Sequence, residues 1–408
     1  MRSKGLWTAA ALILGMTPGS LHAQEFNIGS VPVQVHGFMS QGLLKSNDNN
    51  WLTLPTSDGS AALTDGGVNA SAKIGRKLLV GAQVYTRNFG NLGQGDVTID
   101  WAQADYRFTS WLGVRAGKVK TVMGLYNDTQ DMEFLQTFAM LPQSVYPTDL
   151  RDGTIAHTGV DLYGRVDVNA AKGAIVYTAY AGDRRDTYNG GYPYMLRGVG
   201  IDYTDYGGLQ IGADLRWQAR DFQFGAAHMV GDIKGTGTWT FAFPPGTPPV
   251  TIDTEEHSND DHTTQVFGQY AAGKLKIDAE FRNYYRDQQI FNDLTNVITD
   301  MNAWYLAGSY RLNKYLEFGS YYSRSTTDAQ QGAFPGFPQP APLTGHVYDK
   351  VVATRIDINR FFAVKVEGHF MDGVGNVGMY PDGFYAQDNP GGFKQKTNLL
   401  VTRFGFNF

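Results

Sequence analysis

Between positions 115 and 151 the sequence sets cations around a stretch rich in acids. Arg115, Lys118, Lys120 and Arg151 flank residues 121–153, which carry Asp128, Asp131 and Glu133. Arg87, Asp105 and Arg107 fall on neighbouring stretches, where strands would turn them to the same side. Basic groups set against acidic groups across a wet passage create a transverse field that orients dipolar solutes and sorts ions by sign. Arg115 and Lys118 would lie on opposite faces of a regular strand. A bulge at Gly117 is therefore expected to bring both inward, since bulges gather at rims and functional sites.

Other chemistry-bearing patterns are weaker. Gly373-Val-Gly375-Asn-Val-Gly378 has the spacing of a dinucleotide loop, but Tyr380-Pro381 follows where a helix N-terminus would have to hold the pyrophosphate. Glu255-Glu256-His257-Ser-Asn-Asp260-Asp261-His262 has donors for a divalent cation, yet a run of like charges reads first as a solvated loop. Neither a G-x-S-x-G nor an H-E-x-x-H motif is present. No catalytic residue, metal or cofactor is expected.

Composition narrows the class. The 408 residues contain no cysteine, which removes disulfide scaffolds and thiolate metal sites. A net charge of −5 disfavours nucleic-acid binding, and 13% aromatic residues disfavour disorder. After the first twenty positions no apolar run is long enough for a membrane helix. Arg2 and Lys4, the apolar run Leu6 to Met16, the break at Pro18-Gly19 and Leu-His-Ala at 21–23 have the order of a secretory signal peptide. Residues 1–23 are therefore expected to be removed, leaving 24–408 as a single domain at a net charge of −7.

The elements that must position the charged residues alternate apolar with polar positions, the period of strands. Leu209, Ile211, Ala213, Leu215 and Trp217 oppose Gln210, Asp214, Arg216 and Gln218. Leu275, Ile277, Ala279 and Phe281 oppose Lys276, Asp278, Glu280 and Arg282, and Val364 and Val366 oppose Lys365, Glu367 and His369. Alternation alone fits a soluble sandwich or a membrane barrel with reversed faces. The connections decide between them, because short turns such as Arg76-Lys77 and Gly273-Lys274 alternate with long loops. The long loops fall near 45–64, 121–153, 183–206, 232–262, 287–300, 328–347 and 372–395. Assigning 198–206 to a loop gives sixteen strands, near 31–44, 65–74, 78–89, 97–108, 111–120, 154–167, 172–182, 207–218, 222–231, 263–272, 275–286, 301–312, 315–327, 347–358, 361–371 and 396–408. An even count suits a single-chain outer-membrane barrel, and sixteen strands leave an aqueous channel. Trp101, Trp111, Trp217, Tyr284 and Tyr285 suit its interfacial girdles.

The chain ends TNLLVTRFGFNF, with Phe404, Phe406 and Phe408 on one face. This resembles the C-terminal strand of Gram-negative outer-membrane barrels, whose terminal aromatic is read by the barrel-assembly machinery. Arg115 to Lys120, Gly124-Leu-Tyr-Asn127 and Leu141-Pro-Gln-Ser-Val-Tyr-Pro147 are similar to the fifth strand and following loop of trimeric porins, including the phosphate-selective porin family. That resemblance implies an all-β, up-and-down transmembrane barrel with a loop, about 121–153, folded inward to narrow it. It implies a homotrimer among outer-membrane lipid and lipopolysaccharide that passes small hydrophilic solutes and needs no cofactor. Phosphate selectivity is not carried over, because basic lumen residues are not in excess. A barrel hydrolase acting on lipid and a surface-binding β protein are the alternatives. A siderophore-type receptor, with a larger barrel and a plug, does not fit the length.

Overall fold

The computed structural model describes residues 24–169, 173–244, 246–331, 345–375 and 382–408. The proposed leader, residues 1–23, lies outside them, as does part of the Gly373–Gly378 pattern. Eighteen strand segments form one antiparallel sheet: β1 (Gln24–Ile28), β2 (Val31–Ser46), β3 (Ser60–Ile74), β4 (Leu78–Phe89), β5 (Val97–Arg107), β6 (Gly113–Lys120), β7 (Ala156–Asn169), β8 (Gly173–Arg185), β9 (Ile201–Gln218), β10 (Phe222–Gly231), β11 (Lys234–Phe241), β12 (Val250–Ala272), β13 (Leu275–Ile290), β14 (Thr295–Arg311), β15 (Leu316–Gln331), β16 (His346–Asp357), β17 (Phe362–Asp372) and β18 (Lys396–Asn407).

The sheet closes on itself where β18 pairs with β2. Residues 31–35 of β2 pair instead with β1, so β1 and β18 share one position in the barrel wall. β10 and β11 likewise follow one another between β9 and β12. The eighteen segments thus make a 16-strand barrel. Each of the sixteen expected strands has its counterpart.

Facing separates this barrel from a soluble sandwich. Along β9 the apolar residues Leu209, Ile211 and Leu215 are exposed outward, while Gln210 and Asp214 are buried. Along β13 Phe281 is 43% exposed between buried Glu280 and Arg282. Val160, Leu162, Val266, Leu306, Val352, Phe370 and Leu400 continue the outer apolar surface. Only a hydrocarbon surround makes an apolar outside and a charged inside stable. Trp111 and Tyr315 are exposed beside the short turns. Two expected girdle residues are placed otherwise: Tyr284 is buried in the lumen, and Trp101 packs on Gly81.

The loops expected at 198–206, 232–262 and 287–300 are largely strand. β9 begins at Ile201, β11 fills 234–241, β12 starts at Val250, and β13 and β14 extend to Ile290 and from Thr295. Their outward residues here include Thr204, Asp205, Thr236, Thr240, Thr251 and Glu255, all exposed. The ladder persists above the apolar belt, but the outer face turns polar, so hydropathy alternation fades while pairing continues.

Depth should show in stability. Phe281 sits midway up β13 and pairs with Val266 and Trp304. Phe281→Arg is expected to cost about 2–4 kcal/mol, as cations near the bilayer midplane do, and Leu215→Arg, close to the short turns, markedly less. Reversible urea unfolding in lipid vesicles checks the order.

Candidate functional site: a loop moored across the lumen

After β6 the chain turns into the barrel at Thr121 instead of rising over its rim. Residues 121–155 are mostly irregular, with short 3-10 turns at Asn127–Thr129, Glu133–Leu135 and Arg151–Gly153. Irregular backbone at membrane depth is tolerated only where protein satisfies its polar groups. Here the wall does so with charged side chains. Glu280 accepts from Leu125 N–H at 3.0 Å, and Glu367 accepts from Ala139 N–H and Met140 N–H at 2.9 and 3.1 Å. Lys365 donates to the carbonyls of Glu133 and Phe138, Arg355 to those of Phe134 and Gln136, and Arg403 to that of Ala139. Arg282, Arg216 and Arg87 donate to Val145, Gly124 and Thr148. The loop is held from nearly every side of the wall.

The anticipated charges meet in direct contact rather than across open water. Lys120 bridges Asp100 and Asp131 at 2.7 and 2.8 Å. Arg151 contacts the same two carboxylates and stacks 4.0 Å above the Tyr85 ring. Arg87 pairs with Asp152 at 3.0 Å, and Glu133 with the fully buried Lys365 at 2.7 Å. Arg87, Lys120, Arg151, Asp131 and Glu133 thus belong to the loop–wall contact, although Arg151 lies on the loop and not on the opposing wall.

Four anticipated residues stand elsewhere. Arg115 faces inward but lower, against Asp105 and Asp161 and 4.1 Å over Tyr163. Arg107 is exposed at the short-turn end of β5, too far down its strand to reach the loop. Lys118 remains on the outward parity and donates to Ile99 O, because pairing runs through Gly117 without a slip on either side. The bulge lies instead on β5, where Asp100 is the extra residue between Ile99 and Trp101. That extra residue turns the Asp100 carboxylate inward toward Lys120. Asp128 makes no ion pair among the described residues, and burial raises its carboxyl above the usual range. At the barrel seam Phe408 exchanges backbone hydrogen bonds with Gly37 and lays its ring over that glycine, where a Cβ would come within 2.4 Å.

Sequence reasoning missed the moorings themselves: Asp65, Asp100, Arg216, Glu280, Arg282, Arg355, Lys365, Glu367 and Arg403. The available signal was their inward parity, which Glu280, Arg282, Lys365 and Glu367 display in the alternating stretches. A second motif was also beyond it. Thr121 Oγ1 lies 2.9 Å from His157 Nδ1, and His157 Nε2 lies 2.9 Å from Asp161. Gln210 donates to the same hydroxyl at 3.1 Å, so the trio pins the start of the loop to β7 and β9.

Above the loop the long connections pack together. Trp51, Leu52, Leu54, Leu92, Phe384 and Met140 share a buried cluster, and Asp149 accepts from Gly383 N–H and Tyr385 Oη. Burial, with Asp152 nearby, pushes the Asp186 carboxyl up to about 8, and burial beside Asp149 does the same to Asp382. Burial thus favours the protonated form of both in the packed connections. A raised acid favours the fold fully below the ordinary carboxylate range, about pH 4, and that contribution is lost as pH rises toward 8. With the intrinsic base-catalysed rise in exchange divided out, amide protection at 186–200 and 382–388 should therefore fall between about pH 5 and pH 8 and stay level above it. In the double variant Asp186→Asn/Asp382→Asn that pH dependence should flatten.

A void of about 90 Å³ lies between the loop and β8–β13. An apolar exterior, a charged interior and a loop folded across the lumen define a porin-like barrel. No protein-family model and no curated protein sequence matches the chain. Solved structures match its fold. OmpT of Vibrio cholerae, in vitro folded and in trimer form, aligns over 93% of this chain and 100% of its own at 13% identity and a TM-score of 0.53. OmpF of Salmonella typhi aligns over 94% and 100% at 12% identity and 0.54, and the anion-selective porin of Comamonas acidovorans over 93% and 100% at 12% and 0.52.

Proposed function

We propose that this protein is an outer-membrane porin, passing small hydrophilic solutes passively and without catalysis. The carrying observation is the inner wall, where strands from β3 to β18 place buried charged side chains while the outer wall is apolar, the facing of a barrel with a polar lumen. In this reading residues 1–23 direct export and Phe408 serves the assembly machinery. The working unit is a homotrimer embedded in lipid and lipopolysaccharide, a state that the trimer form of the Vibrio cholerae barrel supports by analogy. The loop is the selectivity element, and its seating sets how much of the lumen conducts. Purified protein, folded in detergent and added to a planar bilayer, should give stepwise conductance, often in threes. Silent bilayers from folded protein would overturn the reading.

One observation favours a second reading. Thr121, His157 and Asp161 stand in the order of a hydroxyl–imidazole–carboxylate relay, and Thr121 borders the cavity between the loop and β8–β13. A barrel hydrolase would show ester cleavage that Thr121→Val abolishes, with no conductance.

A further inference from the structure

One cavity lies between the inward loop and the wall formed by β8, β9, β10, β12 and β13, and three arginines line it. Arg184 and Arg286 share one carboxylate, Asp261, at 2.9 and 2.8 Å, and Arg286 also donates to Tyr206 Oη. Arg282 has no carboxylate partner among the described residues. Its Nη1 donates to Val145 O, while its Nε is buried without a hydrogen-bond partner, and the Arg184 Nε is in the same condition. All three side chains are more than nine-tenths buried. Glu256 accepts from Tyr206 at 3.1 Å and lies close to Arg286, which leaves Arg282 as the guanidinium of the three with no acid in contact among the described residues.

The rest of the lining is mixed in a telling way. Tyr192, Tyr206 and Tyr284 alternate with the guanidinium planes: Arg286 sits 5.3 Å from the Tyr192 ring and 5.5 Å from that of Tyr284, and Arg282 5.6 Å from Tyr284. Val145, Pro147, Leu150, Met229 and Ile233 supply an apolar side. A guanidinium fork matches a carboxylate in two parallel hydrogen bonds. Apolar lining rewards a short carbon chain and gives nothing to a hydrated inorganic ion. At about 90 Å³ the space suits a molecule of a few carbon atoms, or several waters.

We propose that this cavity is a binding site for short-chain carboxylates, with Arg282 and Arg184 gripping the carboxylate and Met229 and Ile233 covering the chain. The site deepens the porin reading, and on that reading it is the resting point of the preferred solute on its way past the loop.

The test uses the whole folded protein in detergent, titrated calorimetrically with butyrate, butylammonium and inorganic phosphate, alongside butyrate block of bilayer conductance. Butyrate should bind, and butylammonium should not. Phosphate should bind more weakly than butyrate. Arg282→Gln should weaken butyrate about tenfold or more, the worth of a charge-assisted hydrogen bond. Met229→Trp, which fills the cavity and leaves every arginine in place, should abolish binding and covers the case in which Arg282→Gln fails to fold. Phosphate binding as tight as butyrate, or butyrate binding unchanged in both variants, overturns the proposal. Conductance without butyrate binding removes this site and leaves the porin reading standing. Butyrate binding without conductance removes the porin reading and leaves the site.

Discussion

Single-channel conductance is expected to rise several-fold when residues 124–150 are replaced by a short Gly-Ser linker. A 16-strand barrel is wide enough for an aqueous channel, and in this chain the loop occupies that width. The wall side chains that now hold the loop would face water, where charges are stable without partners. Removal is therefore expected to leave the barrel foldable, which the mobility of unheated against heated samples on gels checks. Ion preference should shift as well, because Arg87, Arg355, Lys365 and Arg403 lose their loop partners together with Glu280 and Glu367. Unchanged conductance in a folded variant would show that the barrier lies in the packed connections above and not in the loop.

The second large effect is expected at Arg403. Its guanidinium grips Asp65 with two bonds of 2.8 Å, donates to Ser40 at 2.8 Å, and reaches the Ala139 carbonyl at 2.7 Å. Both partners are buried, and Asp65 also accepts from Tyr85 at 3.2 Å. Arg403→Ala leaves a buried carboxylate without its cation and should cost about 3–5 kcal/mol. Removing both charges in Arg403→Met/Asp65→Leu should recover most of that loss, since an apolar pair of similar volume carries no desolvation penalty. Urea unfolding of Arg403→Met, Asp65→Leu and the double variant gives the coupling directly. Additive losses would mean that the pair contributes little and that the backbone contact to Ala139 carries the effect.

Much of the fold was legible because lipid imposes a strict two-residue period. Leu209 to Gln218 and Leu275 to Arg282 state their facing in every residue. Legibility failed where lipid stops acting. At Thr236, Thr240, Thr251 and Glu255 strands continue with a polar outer face, and the pattern read as loop. β1 was lost for a related reason, since five residues beside the proposed leader carry too little period to register. Within the site, the position of the loop and its acids was readable, but the partners were not. A lumen charge such as Lys365 or Arg403 has the same parity whether it meets solvent or a carbonyl of Phe138 or Ala139. The bulge was expected at Gly117 because it would turn Arg115 and Lys118 to the same side. It formed across the ladder at Asp100, where the extra residue carries a carboxylate that Lys120 and Arg151 hold.

The moorings of the inward loop carry a consequence for the order of assembly. Its partners come from β4, β9, β13, β16, β17 and β18, strands synthesised at opposite ends of the chain. Arg403 reaches Asp65 of β3 only once β18 has paired with β2. The loop therefore cannot be fully seated in an unclosed sheet. Its docking comes last, as a check that the first and last strands have met in the right register. A slip of two residues along that seam would carry Arg403 a full pleat away from Asp65 and loosen its hold on the Ala139 carbonyl, so a misclosed barrel would be an unlatched one.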